Sequence, residues 1–148
     1  MSNIIRKSIL FIIGYCLYIS IEVTFRGYSF ILMGVCGGVL FILIDCINEV
    51  LPWKTDLLLQ GCIGSVLITL CEFVVGKINQ AKGVVMWDYH DMPLNFDGII
   101  CIPFSLLWIV ISVIAVIVAD CINYYAFGRE PVPHYYLFGK QLLKFKSK

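Results

Sequence analysis

The sequence predicts an all-α, polytopic membrane protein: a bundle of four transmembrane helices with both termini in the cytoplasm. Three observations carry that prediction. The chain is 60% hydrophobic and only 14% charged, against roughly 25% charged for an ordinary soluble domain. Its mean hydropathy is +0.91. Four apolar runs, at residues 8–25, 28–51, 57–76 and 99–119, each approach the about 20 residues that a helix needs to cross a hydrocarbon core. The short connectors predict antiparallel neighbours. A chain of 148 residues holds one such domain, residues 1–120, with a loop at 77–98 and a tail at 121–148.

Arg6 and Lys7 precede the first run, as basic residues do in a secretory leader. The apolar stretch is too long for a leader, however, and Glu22, Phe25 and Arg26 follow it where a small-residue cleavage site would stand. It is therefore an uncleaved span. Projected at about 100° per residue, its Tyr15, Tyr18, Glu22 and Arg26 share one narrow sector.

In the second span, Gly34, Gly37, Gly38, Asp45, Asn48 and Glu49 form a stripe. The third gathers Gly61, Gly64, Ser65 and Glu72, and the fourth Ser105, Trp108, Ser112, Ala115 and Ala119. Lipid tails are as apolar as leucine, so close backbone approach and polar contacts must hold such helices together. Gly34 with Gly38, and Gly61 with Ser65, have the small-xxx-small spacing that permits that approach. The connector Pro52-Trp53-Lys54-Thr55 predicts that the second and third helices are neighbours. Pro52 ends one, and Thr55 caps the next with Asp56 in its first turn.

With an even number of spans, both termini share a side. That side carries Arg6, Lys7, Lys54, Arg129, Lys140, Lys144, Lys146 and Lys148; the other carries Arg26, Lys77 and Lys82. Eight basic residues against three predict a cytoplasmic N- and C-terminus, with the 77–98 loop outside. The charge sits in membrane flanks, which gives no indication of nucleic acid. The seven cysteines lie in or beside the spans without CxxC spacing and read as small hydrophobes.

Polar residues inside the spans need partners or water. Glu22 and Arg26 are four apart and can pair along the helix. Glu72 lies about one turn below Lys77, so both acids fall near the outer boundary. They read either as locally paired, hydrated helix ends or as functional groups. Asp45, Glu49 and Asp120, near the opposite ends, read as solvated helix termini beside Lys54.

The stretch 86–98, MWDYHDMPLNFDG, concentrates Trp87, Asp88, Tyr89, His90 and Asp91 between two apolar runs. At the predicted depth these five join Glu22, Arg26 and Glu72 in one acidic, aromatic vestibule open to the outside. Trp87 and Tyr89 also suit a headgroup anchor, and Asn95-Phe96-Asp97-Gly98 suits a turn ending in an N-cap, so a hairpin without chemistry fits as well. Asp88, His90 and Asp91 make no convincing metal set. No nucleophile–base pair or phosphate cradle is present, so no catalytic residue, cofactor or enzymatic activity is expected.

The tail changes composition. Tyr124, Tyr125, Tyr135 and Tyr136 flank Arg129-Glu130-Pro131-Val132-Pro133, and basic residues alternate with apolar ones from Lys140 to Lys148. This pattern suits a segment lying on an anionic leaflet, or docking to a cytoplasmic partner.

Met86-Trp87-Asp88-Tyr89, then Pro93, Asn95, Gly98, Ile100-Cys101, Phe104-Ser105 and Trp108, resemble the ABC-transporter type IV (CmpB-like) permease family of small bacterial membrane proteins. Glu22, Arg26-Gly27 and the glycine-rich second helix are compatible with it; His90 and Pro103 depart from its pattern. The resemblance implies a transport-related subunit of the bacterial plasma membrane. The chain has no nucleotide-binding motif, so an ATPase would be a separate subunit. Homo-oligomerisation or another membrane partner would complete a permease. A vestibule of Glu22, Arg26, Glu72, Asp88 and Tyr89 would then contact a small or cationic solute. The alternatives are a non-transporting scaffold and, further off, a holin-like pore former.

Overall fold

The structure is a computed structural model that describes residues 2–147; Lys148, counted above with the tail's basic residues, lies outside them. Helix α1 runs from Asn3 to Arg26. Ser2 opens it by accepting the Ile5 N–H at 3.3 Å, and Gly27, at φ +80°, closes it in the left-handed conformation that glycine adopts without strain. Helix α2, Ile31–Asp45, breaks at Cys46 and resumes as the short α3, Ile47–Val50. Helix α4 spans Leu57–Ala81, and α5 spans Ile102–Cys121 before loosening into a π turn at Ile122–Ala126. The fold is mostly helical. Asn3–Arg26, Ile31–Val50, Leu57–Ala81 and Ile102–Ala126 are each long and apolar enough to cross a membrane. Ile12, Val39, Leu59, Val66, Leu70, Val110 and Ile114 point outward, as lipid-facing residues do.

Glycine sterics pair the helices. A Cβ on Gly38 would lie 2.8 Å from the Phe11 carbonyl oxygen and 2.7 Å from its ring, and one on Gly34 would enter the Tyr15 ring, so α2 rests directly on α1. Gly61 does the same for α4 on α5, where a Cβ would meet Val113 at 2.6 Å and the Ile109 carbonyl at 3.0 Å. Ser65 donates to the Ser105 carbonyl at 2.6 Å across that seam. The two small-residue motifs thus bind different partners. Helices α2 and α4, joined by the Pro52 connector, touch each other only sparsely. Asp56, not Thr55, caps α4, its side chain accepting the Leu58 N–H at 2.9 Å.

The all-α expectation needs correction in two places. In the loop, Asn95–Phe96 (β1) pairs antiparallel with Ile100–Cys101 (β2), so α5 begins at Ile102, Ile99 lies in the turn and residues 100–101 are extended. In the tail, His134–Leu137 (β3) pairs antiparallel with Lys140–Lys144 (β4) around Phe138 and Gly139, both left-handed as a two-residue hairpin turn requires. Strand β3 docks on the bundle. Tyr135 is fully buried among Ile44, Ile47, Leu57 and Val116, and the Phe138 N–H donates to Asp56 at 2.6 Å.

Of the acids at the tail end, Asp45 and Asp120 are buried and are not solvated helix termini, whereas Glu49 is exposed. Asp45, fully buried, accepts from Arg6 at 2.9 Å and Lys7 at 2.6 Å, and Asn123 also donates to it. Glu49 accepts from Arg6 at 2.6 Å and Arg129 at 2.8 Å. Asp120 accepts from Asn48 at 2.7 Å and Tyr135 at 2.9 Å. Lys54 pairs with none of them among the described residues. The physical reason is desolvation: a carboxylate this deep needs a charge or several donors beside it.

Candidate functional site

Tyr18, Glu22 and Arg26 stand four residues apart on α1 and therefore present one face. That face meets Glu72 of α4, Phe104 and Trp108 of α5, and Trp87 and Tyr89 of the loop around a cavity of about 330 Å³. The volume lies within the roughly 300–1,000 Å³ of small-molecule sites. Two backbone bonds fix the loop side chains: Trp87 Nε1 donates to the Ile99 carbonyl at 2.8 Å, and the Tyr89 N–H to the Gly98 carbonyl at 2.8 Å.

The Tyr89 ring stacks on Phe104 with centroids 4.7 Å apart, and Tyr18 stacks on Trp108 at 6.5 Å. Glu72 is buried between two neutral donors. The Tyr89 phenol reaches Oε1 at 3.2 Å and the Trp108 indole N–H reaches Oε2 at 3.0 Å. Burial, then the nearby Glu72 charge, raises the Tyr89 phenol above its ordinary pKa, so it stays a donor. Glu22 accepts from Arg26 at 2.7 Å and from Ser29 at 2.5 Å, while Arg26 also donates to the Met86 carbonyl at 2.9 Å.

Five of the eight expected vestibule residues, Glu22, Arg26, Glu72, Trp87 and Tyr89, therefore line one cavity. Asp88, His90 and Asp91 do not. Asp88 and His90 face a separate pocket of about 80 Å³ with Asn79 and Asp97, and Asp91 is exposed. Asp88 accepts the His90 N–H at 2.9 Å and contacts its ring, and these bonds hold its carboxyl below the usual aspartate value. Tyr18, Phe104 and Trp108 are additions to the site. Their signal was present, since Tyr18 shares the Glu22–Arg26 sector and Trp108 follows Phe104 by four.

At the other end a polar pocket of about 410 Å³ is bounded by Asp45, Asn48, Glu49, Asp120, Asn123 and Arg129. Asp45, Cys46 and Glu49 bring potential metal ligands within 4.8 Å of one another. Lys7 Nζ already sits on all three, at 2.6, 3.0 and 3.3 Å, and supplies the positive charge there.

Four helices long and apolar enough to cross a membrane fit a multi-pass membrane protein. Residues 8–135 match the family described as Putative ABC-transporter type IV, and the chain belongs to that family. No curated protein and no solved structure matches it.

Proposed function

We propose that the chain is the membrane subunit of a transport system and that the Glu22–Glu72 cavity is its solute site. The observation that carries this reading is Glu72 itself, a carboxylate held in an aromatic cavity by neutral donors alone. Intramembrane acids that are not consumed by a structural ion pair are functional groups by default. The family assignment supports the same reading.

In this proposal both termini face the cytoplasm of a bacterial cell and the cavity opens outward. That orientation rests on the basic residues of the tail side, among them the exposed Lys140, Lys144 and Lys146. A separate ATPase supplies energy, and a second copy or another membrane subunit completes the path, because four spans enclose little. The chain itself performs no catalysis.

Glu22→Gln and Glu72→Gln should abolish uptake or export while membrane insertion and the gel-filtration profile persist. Unchanged transport in both variants overturns the proposal. A scaffold reading has its own support, since the glycine contacts and the Arg6–Asp45–Glu49 ion pairs concern only assembly. It requires that substitutions at Glu72 change stability alone.

A further inference from the structure

Charge accounting within the cavity narrows its ligand. Glu22, Arg26 and Glu72 are its charged lining residues. Arg26 is matched by Glu22 at 2.7 Å, and its guanidinium also lies over the Tyr28 and Phe30 rings at 5.0 and 5.8 Å. That pair is complete. Glu72 has no such partner: among the described residues no lysine or arginine forms an ion pair with it. When ionised, a carboxyl that is 5% exposed in a wall of aromatic rings lacks the counter-charge that buried acids ordinarily have.

The aromatic residues Tyr18, Trp87, Tyr89, Phe104 and Trp108 line the same cavity as Glu72. Ring faces attract positive charge, most strongly when the cation is poorly hydrated, and aromatic cages are how alkylated ammonium groups are recognised. An anion would meet the unmatched carboxylate. A hydrated metal ion would find too few oxygens to replace its water. A neutral solute would leave Glu72 without a counter-charge, so the carboxyl would have to hold a proton instead.

We infer that the cavity binds a monovalent organic cation whose charge is spread over alkyl or aromatic groups, with Glu72 as its counter-ion and the rings as its cage. This rests on the reading of the cavity as a solute site and adds the ligand's charge and class. Such a group can arrive as a soluble cation or as the choline headgroup of a lipid.

The test uses the full chain in phosphatidylglycerol nanodiscs, titrated with benzyltrimethylammonium while tryptophan emission is followed. Trp87 and Trp108 report on the cavity; Trp53, stacked on His134 at the other end, gives a constant background. Saturable quenching is expected, at least about tenfold weaker for neopentylbenzene, the uncharged isostere, and for Glu72→Gln. Equal affinity for cation and isostere overturns the inference, and that comparison needs no variant to fold. So does unchanged cation affinity in Glu72→Gln. Binding of the isostere without the cation defeats the cationic class and leaves the solute site standing; binding of neither defeats both. Nanodiscs containing phosphatidylcholine separate the two sources. Competition by the headgroup assigns the cage to lipid, undiminished binding assigns it to a soluble cation, and either supports the class.

Discussion

The Tyr135 phenol donates to Asp120 at 2.9 Å, joining the C-terminal hairpin to the end of the last transmembrane helix. Burial, with the Asp120 charge beside it, raises the phenol above its ordinary pKa, so the bond keeps its donor through neutral pH. Tyr135→Phe leaves Asp120 one donor short in a buried setting and should cost about 1–3 kcal/mol. Tyr135→Ala also empties a fully buried site and should cost about 3–5 kcal/mol. Thermal unfolding in detergent, followed by circular dichroism, measures both. A neutral Tyr135→Phe would show that the hairpin is held by packing alone.

Asp45→Ala takes one of two carboxylate partners from Arg6, which is 3% exposed, and from Lys7, and leaves Glu49 to both. The expected loss lies below the about 3–5 kcal/mol of a buried charge left with no partner, because Glu49 still pairs with Arg6. Arg6→Met combined with Asp45→Leu should cost less than the two single substitutions added together, because both remove the same buried ion pair. Additive losses in a double-mutant cycle would mean that the pair is not coupled.

Gly38→Ala and Gly61→Ala each press a methyl group into a neighbouring helix, against Phe11 in one case and Val113 and Ile109 in the other. Overpacking of this kind costs about 1–3 kcal/mol. Gly27→Ala meets no neighbour within 4 Å, and its cost is only that of a left-handed backbone, about 1–2 kcal/mol. Larger shifts in unfolding midpoint at Gly38 and Gly61 than at Gly27 are the expected order.

The loop should respond to acid. Asp88 is held below the ordinary aspartate value of about 3.9 by the His90 N–H and ring, so its contribution to loop order is complete above that value. It is lost as the pH falls through the lowered value, when the carboxyl gains a proton and gives up its acceptor role. A carboxyl carbon titration by NMR should place the Asp88 midpoint below about 3.9. A midpoint at or above it contradicts the geometry.

Transport should separate the two halves of the loop. Asp88→Asn and His90→Ala lie off the cavity and should leave transport unchanged. Tyr89→Phe removes a donor to Glu72, and a hydrogen bond to a charged group is worth about tenfold or more in apparent affinity. A loss at Asp88 equal to that at Tyr89 would move the site toward the surface.

The four spans were legible because hydropathy and length are local properties, and the α1 sector was legible because helical periodicity is. Tyr18, Glu22 and Arg26 do face one cavity, while Tyr15 turns aside onto Gly34. The ion pairs were not legible. Arg6 looked like a basic membrane flank, and its partner Asp45 is 39 residues away, a distance only tertiary packing closes. In the loop, residue types brought Asp88 and His90 into the same group as Tyr89, but Asp88 and His90 bond to each other beside the smaller pocket while Tyr89 reaches Glu72. The tail hairpin left a signal in Tyr135-Tyr136-Leu137 followed by Phe138-Gly139, an aromatic run ending at a turn residue. Its lysines pointed instead to a leaflet-bound segment.

The glycine contacts divide the bundle into two clasped hairpins, α1 with α2 and α4 with α5, which meet through fewer contacts and through apolar clusters such as Leu40 with Ile68 and Trp108. The cavity draws its walls from both hairpins. The bundle is therefore built like a book whose spine is the tail end, where Asn123 with Asp45 and Asn48 with Asp120 join the leaves, and whose fore-edge holds the cavity.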